Sequence, residues 1–326
     1  MTKRLMIVGG TGFFGKALFR YLSRFIDNNK WDIEAVCFVS RNPNVAKQFF
    51  GGDVGALKYK LLSADVEASL DHLAVFEPTH LIHAASDSTN GHQLSHFDRF
   101  RQIVKGTENV LDFVVKTKVE KLLYISSGAV YGGAIDEGRL GWTEGSYCAP
   151  TCSEIEQTYG LAKRNAESLC WLYSSEFAFQ FSVARCFSFV GPDLPLNKHF
   201  AIGNFIRNAL ACEDIVVNGD GTPLRSYLHQ EQLAEWLLKI LFDGSNNTFN
   251  VGSDEAVSIL QLAETISKVC NSKNTVIVKG RPELRDGEER SVYIPNIDKI
   301  KTEFNVTPLP IEVCIEKTIN ELASAT

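Results

Sequence analysis

Tyr159 and Lys163 stand four residues apart in TYGLAKRNAE, a stretch that reads as a helix. At 3.6 residues per turn that spacing puts both side chains on one helical face, one turn apart. A phenol beside an ammonium has its phenolate stabilised, so its pKa is expected to fall towards the working pH. Such a tyrosine can give a proton to a carbonyl oxygen, or take one from an alcohol, while hydride moves to or from a nicotinamide. A serine at a strand tip can hydrogen-bond the same oxygen, and the strand-like KLLYISS ends in Ser126 and Ser127. Near the start of the chain, MIVGGTGFFGK places Gly9, Gly12 and Gly15 directly after an apolar run. Glycines between a strand and a helix let the backbone turn sharply and approach a diphosphate held at the helix N-terminus. Each signal is weak alone: Y-x-x-x-K is common on solvated helix faces, and glycine corners join many strands to helices. Their conjunction in this order points to dinucleotide chemistry.

The elements that must carry these residues alternate. Leu5–Val8 reads as a buried strand, and a helix opens over Lys16–Leu22. IEAVCFVS, LKYKLLSADV, HLIHAAS, KLLYISS and FSVARCFSFVG follow as strands, with a helical pattern over 102–117. Short apolar strands separated by helices predict an α/β fold, a Rossmann-type doubly wound parallel sheet. From Gly191 the chain turns rich in Pro, Asn and Gly, as in GPDLPLNK and NGDGTPLRS. That change predicts a smaller, irregular α/β substrate domain over 191–326. The dinucleotide domain would span 1–190, with the chain returning to it around 226–252.

Bulk properties exclude several classes. The 326 residues are 44% hydrophobic and 22% charged, the composition of a globular protein. A net charge of −6 leaves no basic surplus for a nucleic-acid partner. After Lys3 and Arg4 only four apolar residues precede the glycines, too few for a signal peptide, and no run suits a membrane span. The eight cysteines form no C-x-x-C pair, so reduced thiols of a cytoplasmic protein are expected rather than a metal site or a disulfide framework.

Nearly the whole chain resembles the extended short-chain dehydrogenase/reductase family, in its branch of nucleotide-sugar epimerases, dehydratases and 4-keto reductases. GGTGFFG resembles the family's G-x-x-G-x-x-G, and SADV its adenine-contacting acid; HAA resembles its cofactor-lining strand end, while VKGTENVL and SSGAVYG follow in the expected order. The resemblance implies that Gly9, Gly12, Phe13, Phe14, Gly15, Asp65, Val66, Ala84 and Ala85 line the cofactor, with Lys163 also reaching it. It implies Ser127, Tyr159 and Lys163 as the catalytic set, and Ser86 at the substrate. NGDGTPLRSYLH and RDGE are similar to two arginine segments of the family, implying Arg225 and Arg285 as a diphosphate clamp suited to the guanidinium fork. A homodimer through sheet-flanking helices is implied too.

Three departures from the family's pattern narrow the reading. The second strand ends with Ser40 and Arg41, where members that bind NAD usually carry an acid; an arginine attracts the 2′-phosphate of NADP. Gly128 and Ala129 stand where 4,6-dehydratases carry an Asp–Glu pair, so that elimination lacks its acid and base. Ser188 replaces an Asn that commonly touches the nucleotide-sugar. The expectation is an NADP-dependent oxidoreductase acting at C4 of a nucleotide-activated sugar, reducing an NDP-4-keto-6-deoxy sugar. The alternatives are a 4-epimerase with tightly bound NAD, a reductase of a non-sugar carbonyl and a non-catalytic dinucleotide sensor.

Overall fold

The computed structural model describes residues 2–26, 31–43, 49, 57–86, 93–132, 141–198, 200–244, 246–271, 274–280 and 291–324. The chain divides into two compact units. The first comprises Met1–Gly132, Tyr147–Cys186 and Ala234–Phe249; the second comprises Gly133–Ser146, Phe187–Leu233 and Asn250–Thr326.

The first unit is organised by one sheet. In chain order its elements begin with β1 (Lys3–Val8), α1 (Phe13–Phe25), β2 (Ile33–Ser40), β3 (Tyr59–Ser63) and β4 (His80–His83). They continue with α2 (His96–Thr117), β5 (Lys121–Ser127), α3 (Thr158–Phe177) and β6 (Gln180–Cys186). A seventh strand, Asn247–Val251, joins beyond β6, giving the order seventh strand, β6, β5, β4, β1, β2, β3. The pairings of β1 with β2 and β4, β2 with β3, β4 with β5, and β5 with β6 are all parallel. Strand order 3-2-1-4-5-6 is that of the dinucleotide-binding doubly wound sheet, whose ligand crevice opens where β1 and β4 diverge. That crevice lies at the carboxyl ends of the strands, beside Gly9, Ala84 and Ser127.

These strands form because they are apolar on both faces. Leu5, Met6, Ile7 and Val8 are buried, as are Val36 to Val39 and Leu81 and Ile82, so helices must cover each side. On one side α2 and α3 lie against the sheet through Val110, Leu111, Val114, Ala162, Ala166 and Cys170, where small alanines allow close approach. Two helices extend beyond their expected bounds. α1 starts at Phe13, with Gly12 as its N-cap, so the glycine loop runs straight into the helix. α2 starts at His96 because Ser95 accepts a hydrogen bond from the Asp98 N–H at 3.0 Å and donates to its carboxylate at 2.6 Å.

The second unit holds short strands: β7 (Phe189–Val190), β8 (Ile215–Val217), β9 (Leu224–Arg225) and β10 (Leu228–His229). β7 pairs with β10 in parallel. β9 is the centre of a three-stranded sheet, with Val257–Ser258 antiparallel on one side and Val292–Tyr293 parallel on the other. Helices Ala201–Leu210, Ile259–Val269 and Ile311–Ala323 supply its core with Phe205, Ile206, Leu262, Ile266 and Ile315. All eight cysteines are free; Cys37, Cys170, Cys186 and Cys314 are buried, Cys148 and Cys270 half-buried, Cys152 and Cys212 exposed. Among the described residues no helix is long and apolar enough to cross a membrane. No group of three or more His, Cys, Asp or Glu among them could hold a metal ion.

Candidate active site

The glycine loop is fixed by backbone approach. Gly9 has φ +98, and a Cβ there would lie 2.7 Å from the Ala84 carbonyl carbon, so only glycine lets the end of β1 press on the end of β4. A Cβ at Gly15 would meet the Gly10 carbonyl oxygen at 2.2 Å, which holds α1 down on the loop. Gly12 differs: a Cβ there would meet only the Gly9 oxygen, at 3.4 Å, so its outer face is open. As the N-cap of α1, Gly12 contributes no side-chain hydrogen bond, and the first turn beginning with Phe13 and Phe14 carries no acid. An open backbone at a helix N-terminus without a carboxylate suits an anion, and the residues present fit a dinucleotide's diphosphate. Gly10, which the sequence reading passed over, lies against Phe38 and donates to the Val39 carbonyl at 2.8 Å. Its place inside GGTG was the available signal.

Around this loop stand the other expected cofactor residues. Ser40 at the end of β2 shares a 2.7 Å hydrogen bond with Thr11 of the loop. Arg41 beside it is exposed, and its carbonyl accepts from Ser63 at 3.3 Å. Asp65 is exposed past β3, its carboxylate accepting the Glu67 N–H at 3.0 Å. Val66 sits on Gly106 of α2, where a Cβ would come within 2.8 Å of its methyl, and its carbonyl accepts from Asn109 at 2.7 Å. Ala84, Ala85 and Ser86 leave β4 half-buried, with the Ala84 N–H donating to Val8 at 2.8 Å and the Ser86 N–H to Ala84 at 3.0 Å.

The catalytic candidates converge at the ends of β5 and α3. Ser127 is the last residue of β5 and caps the turn Gly128–Tyr131, accepting from the Ala129 N–H at 3.2 Å. Tyr159, in the first turn of α3, lies close enough to Ser127 for that hydroxyl to act on its pKa. The neighbouring Gly160 makes this possible, since a Cβ there would lie 2.3 Å from the Ala129 oxygen and 2.8 Å from Pro150. Lys163 is buried one turn on, donating to the Ile125 carbonyl at 2.8 Å, 5.0 Å from the Tyr124 ring centroid.

The electrostatics depart from the sequence expectation. Burial pushes the Tyr159 hydroxyl above the ordinary tyrosine value; the charge of Arg99 and the nearby Ser127 hydroxyl pull it back. Lys163 spends its ammonium on the strand carbonyl, and burial brings its own pKa down to about 8. Burial outweighs Arg99 and Ser127, so the Tyr159 pKa stands above its ordinary value and the expected fall is not seen. Two supports had no sequence signal. Arg99, on α2, stacks its guanidinium over the Tyr159 ring at 4.0 Å. Glu167, one turn past Lys163, pairs with Arg185 of β6 at 2.7 Å and accepts from Ser126 at 2.5 Å, while Arg185 also donates to the Tyr131 hydroxyl at 3.0 Å.

In the second unit Ser188 is half-buried, and its carbonyl accepts from Leu228 at 3.1 Å. Arg225 on β9 is also half-buried, its guanidinium donating to the Leu224 carbonyl at 2.8 Å and the Ser291 hydroxyl at 3.3 Å. Arg285, the other half of the expected clamp, lies outside the described residues.

Comparison with known proteins places the family and the fold. The family model described as NAD dependent epimerase/dehydratase family matches residues 5–252. UDP-glucuronic acid decarboxylase 1 of Danio rerio is 27% identical over 320 residues, covering 97% of this chain and 72% of the relative. UDP-glucuronic acid decarboxylase 3 of Arabidopsis thaliana is 24% identical over 309 residues, covering 94% and 84%. Two solved structures share the fold. UDP-glucose 4-epimerase of Thermotoga maritima with UDP-glucose has a TM-score of 0.81 at 19% identity, covering 99% of both chains. dTDP-glucose 4,6-dehydratase of Bacillus anthracis in complex with NAD has a TM-score of 0.80 at 20% identity, covering 100% of this chain and 97% of that one.

Proposed function

The chain belongs to the NAD dependent epimerase/dehydratase family, an NAD(P)-dependent enzyme of the extended short-chain dehydrogenase/reductase type, and from that premise we propose that it reduces C4 of a nucleotide-activated 4-keto-6-deoxy sugar with NADPH. The observation that carries the reading is the nearness of Ser127 and Tyr159 at the mouth of the dinucleotide crevice, where Gly160 lets α3 approach the Ala129 carbonyl. A dihydronicotinamide cofactor held by the glycine loop would supply the hydride for the carbonyl carbon. Ser127 orients the carbonyl oxygen, and Tyr159 gives it the proton that completes the alcohol. Lys163, anchored on β5 through the Ile125 carbonyl, is assigned to the cofactor's ribose. Ser40 and Arg41 at the end of β2 support NADP over NAD, because a hydroxyl and a guanidinium suit a 2′-phosphate. Arg225, Arg285 and Ser188 are assigned to the nucleotide diphosphate and its sugar.

The relatives' names span decarboxylase, epimerase and dehydratase. Gly128 and Ala129 speak against the last, having no acid or base to offer. A second reading, 4-epimerisation with retained NAD, is favoured by neighbours such as the UDP-glucose 4-epimerase of Thermus thermophilus, solved as a complex with NAD. Extensive dialysis separates the two. A reductase loses its cofactor and then oxidises added NADPH stoichiometrically with an NDP-4-keto-6-deoxy sugar, seen as falling absorbance of the reduced nicotinamide. Protein that retains NAD through dialysis and interconverts C4 epimers without added cofactor would replace the reductase reading by the epimerase.

A further inference from the structure

Arg99 has a geometry that the reaction above leaves unused. It lies in the first turn of α2, on a different element from the Y-x-x-x-K pair, with its guanidinium carbon 4.0 Å from the centroid of the Tyr159 ring. Its Nε is buried without a hydrogen-bond partner, and among the described residues no carboxylate pairs with it. Glu167, the buried acid of this region, is already taken by Arg185 and Ser126. Among the described residues the field of Arg99 is thus not cancelled locally, and it falls on the phenol it covers. Lys163, the cation that the sequence spacing nominates for this task, instead donates to Ile125 and faces the ring of Tyr124.

We propose that Arg99, from α2, is a cation that stabilises the Tyr159 phenolate. The proposal rests on Tyr159 being the proton donor of the proposed function. When Tyr159 gives up its proton, the negative charge forms beneath a guanidinium that is delocalised, weakly hydrated and charged at every working pH. The groups facing Tyr159 from all sides agree with this. Ser127 from β5 and Arg99 from α2 favour the phenolate, while burial and the Cys186 thiol at the end of β6 oppose it. On its own helix, Lys163 and Glu167 point to the strand carbonyl and to Arg185.

The test reads the phenolate directly. Full-length wild type, Arg99→Met and Arg99→Lys are titrated by tyrosinate absorbance, each as a difference from the same protein carrying Tyr159→Phe. Thermal unfolding verifies that each variant is folded. The expected result is a Tyr159 midpoint raised by about one to three pH units in Arg99→Met, the shift an opposite charge within a few ångströms produces, with a partial return in Arg99→Lys. The kcat–pH profile moves in step, while KM and cofactor affinity stay put. An unmoved midpoint in folded Arg99→Met would overturn the proposal, as would a raised KM at unchanged kcat, which would make Arg99 a substrate contact. The broader reading fails separately: if Tyr159→Phe turns over at the wild-type rate, Tyr159 is not the proton donor, whatever the titration shows.

Discussion

The two ends of the crevice in the first unit are built in opposite ways. At the end formed by β5 and α3, four polar side chains are tied to one another in or near the core. Ser126, Glu167, Arg185 and Tyr131 form one connected network, and Lys163 is bonded to a strand carbonyl. At the end formed by β2 and β3, Arg41 and Asp65 stand exposed, and Ser40 holds the glycine loop through a single hydroxyl contact. A buried, fully bonded network positions a proton donor within tenths of an ångström but tolerates no missing partner. An exposed rim positions loosely, and its side chains can be exchanged at little cost to the fold. The chemistry is therefore written into the core, and the choice of cofactor onto the rim.

Substitutions at the two ends should differ accordingly. The largest effect is expected for Glu167→Gln. It leaves Arg185 charged and unpaired where the pair is nearly buried, at a cost of about 3–5 kcal/mol in stability. Urea unfolding should show the loss as a lowered midpoint at constant slope. A loss below about 1 kcal/mol would place the pair among ordinary surface ion pairs and dissolve the contrast.

Gly160→Ala comes next. The added methyl meets the Ala129 carbonyl, so α3 must shift away from the turn that carries Ser127. A displacement on that scale lowers turnover by roughly 10²-fold, with cofactor affinity nearly kept. Steady-state kinetics beside fluorescence titration of the cofactor gives the answer, and unchanged kcat would mean that the close contact is not what sets the geometry.

Arg41→Ala tests the rim. Its melting temperature should match that of wild type, while NADPH binding weakens about ten- to a hundred-fold relative to NADH, the scale of one charge-assisted phosphate contact. Equal weakening of both cofactors would take away the 2′-phosphate assignment and favour NAD.

The same contrast explains what could be read from the sequence. Gly9, Gly12, Gly15, Ser127, Tyr159 and Lys163 belong to short local patterns, and the alternation of apolar strands with helices supplies the parallel sheet that gathers them. Arg99, Glu167 and Gly160 were not legible because their roles come from partners far along the chain. Arg99 meets Tyr159 across two helices, Glu167 meets Arg185 of β6, and Gly160 meets Ala129. The pKa of Tyr159 eluded the spacing argument for the same reason: i,i+4 stacking brings Lys163 close but does not decide which carbonyl its ammonium bonds. The early start of α2 was legible after all, in the S-x-x-D of Ser95 and Asp98.

The central claim is that Tyr159 gives the proton in a hydride transfer to a sugar carbonyl. Tyr159→Phe removes one hydroxyl and leaves the ring that Arg99 covers. With NADPH and a nucleotide-activated 4-keto-6-deoxy sugar, the variant should turn over at least about 10²-fold more slowly than wild type, the scale of positioned acid–base catalysis, while NADPH affinity stays the same. Wild-type turnover in the folded variant would contradict the account.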